Sequence, residues 1–168
     1  MDLKQLWSLS VLSLRHLWFV IPTIRATRKT VAICNERYGK AHHKNGPENG
    51  FRHALWNMLI VKKSIEKGLT LERSLAWAKT ITDWHEAFSP NEELARAMDI
   101  HNNRVGRNLI AEFPDEPVDF IIGQLLNKVP LSQLVVNVSE LKRTQISNSK
   151  NDRNFLIHIE EQNDKRNS

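Results

Sequence analysis

Phe51-Arg52-His53-Ala54-Leu55-Trp56-Asn57-Met58-Leu59-Ile60-Val61-Lys62-Lys63-Ser64 is the stretch from which the fold is read. Advancing about 100° per residue, His53, Asn57 and Ser64 fall in one narrow stripe, with Ile60 bordering it on one side and Val61 on the other. Most of the remaining circumference is apolar, and a helix apolar nearly all round lies inside its protein. His53 and Asn57 are therefore expected to look inward. Arg52 lies well off the stripe and reaches it by length rather than by direction. Asn45-Gly46-Pro47 marks the start of this helix, with proline suited to the first turn, and Gly68 marks its end.

Outward from this helix the chain continues in the same style. Thr70 caps a helix ending near Phe88. Ser89-Pro90 begins another, with Glu92 and Glu93 near its N-terminus, that extends to about Glu112. Val118–Lys128 reads as a short further helix. Upstream, one helix runs to about Val20, breaks near Pro22 and resumes over Arg25–Tyr38. Only six Gly and six Pro punctuate the 168 residues, which favours long helices over many short strands. The expectation is a single-domain, all-α, irregular multi-helix bundle. Residues 1–40 would form an N-terminal helical segment packed on the core, residues 41–130 the helical core, and residues 131–168 a partly disordered C-terminal segment. Within the last, Leu131–Leu141 reads equally as helix or strand.

Three helices of the core carry chemistry. On the second of them Trp77, Ala78, Ile81, His85 and Phe88 share an apolar face, so His85 is expected inside and Glu86 at the rim. On the third, Leu94, Met98, Val105 and Leu109 form the core line, flanked by His101 and Asn102. Asp99, Asn102 and Gly106 make a row at its edge, followed by Arg104 and Arg107. A glycine in mid-helix costs about 1 kcal/mol against alanine, so Gly106 points to a close neighbour, helix or ligand. His53, His85 and Asp99 form a mixed N/O set suited to a divalent metal such as Zn²⁺, Mn²⁺ or Fe²⁺. Glu86 would then be the general base acting on a metal-bound water, and Arg52 would position substrate, small molecule or polymer. Asn57, Asn102, His101 and Arg107 would support the ligands or touch substrate. The competing expectation is a non-catalytic module in which the same residues form a hydrogen-bond network. His42 and His43 are expected to be solvated, and the lone Cys34 to be a small buried hydrophobe.

The segments Arg52-His53-Ala54-Leu55-Trp56-Asn57, His85-Glu86 and Met98-Asp99-Ile100-His101-Asn102-Asn103-Arg104-Val105-Gly106-Arg107 also resemble an uncharacterised bacterial helical domain family. That family is marked by R-H-A-x-W-N, H-E and M-D-x-H-N-N-x-x-G-R motifs, and the resemblance covers about residues 45–108. Its members resemble both free-standing proteins and modules of large surface or toxin-like proteins. The resemblance implies a shared site and names no reaction. Many members carry an acidic residue where Asn49 or Gly50 stands here, so Glu48 is given no role.

Composition narrows the class. Hydrophobic residues make up 40% and charged residues 26%, which argues against a wholly disordered chain. The net charge of +5 arises from 24 Lys and Arg interleaved with 19 Asp and Glu, with no nucleic-acid-binding motif, so nucleic acid is disfavoured as a partner. One cysteine excludes an internal disulfide and suits a reducing compartment, most simply the cytoplasm. Residues 6–24 are largely apolar but carry Arg15, His16 and three serines, fitting neither a spanning helix nor a signal peptide. Leu3, Leu6, Trp7, Leu14, Leu17, Trp18 and Ile21 are expected on one face docked against the domain. Peripheral membrane contact, with Arg25, Arg28 and Lys29 behind it, is the alternative.

Overall fold

A computed structural model describes residues 3–143 and 154–160. It is an all-α multi-helix fold. Helices α1 (Leu3–Arg15), α2 (Leu17–Tyr38), α3 (Pro47–Ile65), α4 (Leu71–Phe88), α5 (Glu93–Glu112) and α6 (Val118–Leu126) are followed by a helical turn at residues 138–143. Two short strands, β1 (Gln133–Leu134) and β2 (Ile157–His158), pair in parallel.

α3 is the central element, packed against α2, α4, α5 and α6. Its entry is as read from the sequence: extended Gly46 as N-cap, Pro47 in the first turn and Glu48 against the positive end. It stops three residues before Gly68, whose φ of +83° is open to glycine at little cost. Phe51, Leu55, Met58, Leu59, Ile60 and Val61 are all buried, which makes α3 the spine of the main core. Gly106 of α5 sits directly against α3: a Cβ there would lie 2.0 Å from the Ala54 carbonyl oxygen. The two backbones thus touch at that point.

Three boundaries differ from expectation. The N-terminal break falls at His16 rather than near Pro22. Pro22 is buried in the second turn of α2, where the missing N–H removes a single helical bond, while His16 leaves the helix with φ −133° and ψ 41°. Its ring packs 4.9 Å from that of Trp77. α5 begins at Glu93, not at Ser89-Pro90, with Glu92 as its extended N-cap and Ser89 the extended C-cap of α4. Finally, residues 154–160 do not behave as a loose tail. Leu156 and Ile157 are fully buried, and Ile157 joins Met98, Val135 and Leu141 in a second, smaller core. Within residues 131–143 the chain forms β1 and then the helical turn, so the stretch that read equally as helix or strand holds some of each. The remaining residues of the C-terminal segment, 144–153 and 161–168, lie outside the described residues.

α1 also presents the opposite face from the one expected. It docks through Leu9 and Leu12, with the Trp84 indole N–H donating to Ser8 Oγ at 3.0 Å. Leu3, Leu6, Trp7 and Leu14 stay exposed, as do Leu17, Trp18 and Ile21 of α2. The helix carries two apolar stripes, and the one continuous with the core claims the contact.

Candidate metal centre

His53 comes from α3, Glu86 from α4 and Asp99 from α5, and all three are almost wholly buried. His53 Nδ1 lies 3.5 Å from Glu86 Oε1, and His53 Nε2 lies 3.2 Å from Asp99 Oδ1. Each residue offers one ligand atom such that the three atoms lie within 4.8 Å of one another. The contact between Gly106 and Ala54 sets this spacing, since it brings α3 and α5 together beside His53.

Around the triad runs a hydrogen-bonded chain. Arg107 donates to Asn57 Oδ1 at 2.7 Å, and Asn57 Nδ2 donates to Asn103 Oδ1 at 2.7 Å. Asn103 Nδ2 in turn donates to Glu86 Oε1 at 3.2 Å. Thr82 adds a bond to Asn57 Oδ1. On the far side Asn91 Nδ2 donates to Asp99 Oδ2 at 3.1 Å. Arg52 Nη2 donates to His53 Nε2 at 2.9 Å. Guanidinium cannot accept, so Nε2 must be the unprotonated nitrogen. Asp99 Oδ1 then faces a lone pair, a conflict that a proton or a cation removes.

What the chain leaves out is as informative. His53 Nδ1, Glu86 Oε2 and Asp99 Oδ1 are buried and have no hydrogen-bond partner. Burial and the neighbouring Arg52 cation hold the His53 pKa well below its ordinary value, so the ring is neutral. Burial pushes the Glu86 carboxyl up to about 7, against the hydrogen bond from Asn103. Burial, with Glu86 nearby, pushes Asp99 up to about 8.

The structure corrects several sequence assignments. Glu86 is the inward residue of α4, 1% exposed, and His85 is an exposed one that meets the Trp56 ring edge-on at 5.2 Å. His85 is thus no part of the buried triad, and Glu86 takes the place assigned to it. The inward line of α4 runs through Ala78, Thr82 and Glu86 because these meet the polar stripe of α3. Asn102 and His101 do not serve the triad. Asn102 bonds both the N–H and C=O of Ile157, at 3.0 and 2.9 Å, and His101 Nε2 meets the Phe155 carbonyl at 2.9 Å. Both hold the β2 segment. Asn57 and Arg107 lie in the surrounding hydrogen-bonded chain. Asn91, Thr82 and Asn103 were not singled out; Asn103 stands one α-helical turn from Asp99, the spacing that could have revealed it. His42 is fully buried rather than solvated, with Nε2 2.8 Å from Asn35 Oδ1. Cys34 is buried as expected, which raises its thiol pKa to about 11.

A small cleft of about 190 Å³ opens beside the triad, lined by Thr27, Thr30, Val31, Arg52, His53, Trp56 and His85. Arg52 is half-buried in it, and the Thr30 hydroxyl is buried there without a partner. Glu86 and Asp99 do not line the cleft; His53 stands between them and it.

Residues 10–133 match the family described as Domain of unknown function (DUF6973). The chain belongs to that family. The DUF6973 match is wider than the 45–108 stretch and takes in the whole triad, Arg52 and His85, while β2 lies beyond its end. Comparison with curated proteins and with solved structures finds no match.

Proposed function

We propose that His53, Glu86 and Asp99 hold one divalent cation, Zn²⁺, Mn²⁺ or Fe²⁺, in a hydrolytic centre served by the Arg52 cleft. The observation that carries this is that His53, Glu86 and Asp99, from three helices, each bring one ligand atom to within 4.8 Å of the others, in a buried place where each residue also has a side-chain atom without a hydrogen-bond partner. Each such atom costs about 1–3 kcal/mol if left unsatisfied. The surrounding asparagines, Thr82 and Arg107 bond one another, so a structural network accounts for them. It does not account for the orphaned atoms.

The donor chemistry suits the ion. The imidazole is neutral and would ligate through Nε2 once Arg52 turns aside, or through Nδ1 once its proton moves, and two carboxyls with raised pKa values would ionise once a cation arrives. One nitrogen and two oxygens would hold the ion, which would supply a water that ionises near neutral pH as the nucleophile toward an ester, amide or phosphoester. With Glu86 among the ligands, the proton-transfer role passes to His85. Partial desolvation where its ring lines the cleft wall, together with the Arg52 cation, lowers its pKa, so it is neutral near pH 7 and able to accept a proton at the cleft. Arg52 and the partly apolar cleft would hold an anionic part of the substrate.

Elemental analysis of protein purified without chelators or a histidine tag tests the reading. About one equivalent of a transition metal is expected, lost in Glu86→Gln and Asp99→Asn but retained in His85→Gln. His85→Gln should lose turnover on a panel of phosphoester, amide and ester substrates. A parent protein that neither carries metal nor binds added Zn²⁺ or Mn²⁺ by calorimetry would leave the hydrogen-bond network as the whole role of the cluster.

A further inference from the structure

From Leu3 to Asn35 the chain contains no Asp or Glu, yet it contains Lys4, Arg15, Arg25, Arg28 and Lys29. Over the same span, α1 and the first half of α2 turn large apolar residues to solvent. Trp7 is 74% exposed and Trp18 81%, and Leu3, Leu14, Leu17 and Ile21 are each more than half exposed. These residues are not fraying away from the domain. The inner side of α2 is fixed by Phe19 stacked on Trp77 at 5.2 Å, and by the indoles of Trp77 and Trp56 donating to Thr23 and Thr27. α1 is held by Trp84 on Ser8. The apolar face is thus presented by a fixed surface.

We propose that this α1–α2 face docks on an anionic lipid surface. Among the described residues no helix is long and apolar enough to cross a membrane, so the helices would lie in the plane of the interface. Exposed Trp residues at that level suit the headgroup boundary, where an indole keeps its ring in hydrocarbon and its N–H in polar surroundings. The cations supply attraction of about 1 kcal/mol each to anionic headgroups, with no carboxylate in the span to offset it. A second protein copy sharing the same face would instead bring cations against cations. Charge therefore favours lipid over self-association.

The test uses the whole chain with vesicles of phosphatidylcholine alone and of phosphatidylcholine with phosphatidylglycerol, read by sedimentation. Binding is expected with phosphatidylglycerol only, and should weaken toward about 1 M salt, where the screening length is about 3 Å. Trp7→Ser/Trp18→Ser and Arg25→Glu/Arg28→Glu should each lower the bound fraction about tenfold or more. Both pairs are exposed, so their thermal melts should match the parent. No binding to phosphatidylglycerol vesicles would overturn the proposal. So would a dimer in light scattering that Trp7→Ser/Trp18→Ser dissolves, since a second copy would then cover the face. Neither result depends on metal at His53, Glu86 and Asp99.

Discussion

Glu86 and Asp99 bind protons in the folded protein at pH values where the unfolded chain has released them. Their pKa values are raised from 4.5 to about 7 and from 3.8 to about 8. Stability falls with pH wherever the folded state holds more protons, so their contribution is lost as pH climbs from about 4 through 8. The buried histidines act oppositely. His53 and His101 have lowered pKa values and penalise folding only below about 6.5, the ordinary histidine value. Metal-free protein should therefore melt several degrees lower at pH 8.5 than at pH 6.5. Added Zn²⁺ or Mn²⁺ should restore the difference, more strongly at the higher pH. A flat metal-free profile in the parent, or an undiminished slope in Asp99→Asn, would count against the shared-proton account. Glu86→Gln keeps an acceptor for Asn103 and removes a buried charge, so it should melt at or above the parent while losing the response to metal. His85→Ala should cost less than about 1 kcal/mol in urea unfolding, because its ring is exposed. Here the sequence misled: apolar periodicity put His85 inside and Glu86 at the rim. Hydropathy does not score a polar core, and the facing partners of Glu86 are Asn103 and His53 rather than hydrocarbon.

Among elements, the pairing of α3 with α5 governs the site. Gly106→Ala would gain about 1 kcal/mol of helix propensity. It would also drive a methyl group to 2.0 Å from the Ala54 oxygen, and the two backbones would have to separate. A net loss of about 2 kcal/mol or more is expected in chemical denaturation, together with weakened metal binding, since His53 and Asp99 sit on the same two helices. A variant as stable as the parent would show that the helices part without strain. The α3–α5 arrangement was legible because apolar residues recur at helical spacing over long stretches, and Gly106 stood out as a glycine where a helix wants none. β1 and β2 were not legible, being two residues each and paired across 24 positions. Nor was the outward stripe of α1, because Leu9 and Leu12 offered an equally apolar side. Asn102 on α5 substitutes for a neighbouring strand by bonding both backbone groups of Ile157. Asn102→Ala should cost about 2–4 kcal/mol, since it leaves a buried N–H and C=O unpaired.

At the scale of the molecule, two cores share α5. The larger gathers around α3, and the smaller joins Met98 to Val135, Leu141 and Ile157. A chain ending at residue 143 should lose cooperative thermal unfolding or melt far lower, because the smaller core loses Ile157 and α5 loses the partner of Asn102. An unchanged melt would show that the packing of Leu156 and Ile157 adds nothing to the stability of the larger core. The clamp on Ile157 also bears on how the protein is made. Ribosomes add about 5–20 residues per second, so Ile157 is joined to the growing chain on the order of 3–11 s after Asn102. Through that interval the helices around α3 can pack, but Asn102 faces water and the flank of Met98 is bare. The nascent protein therefore passes through a sticky stage whose length is set by translation speed, and ends it only when β2 arrives.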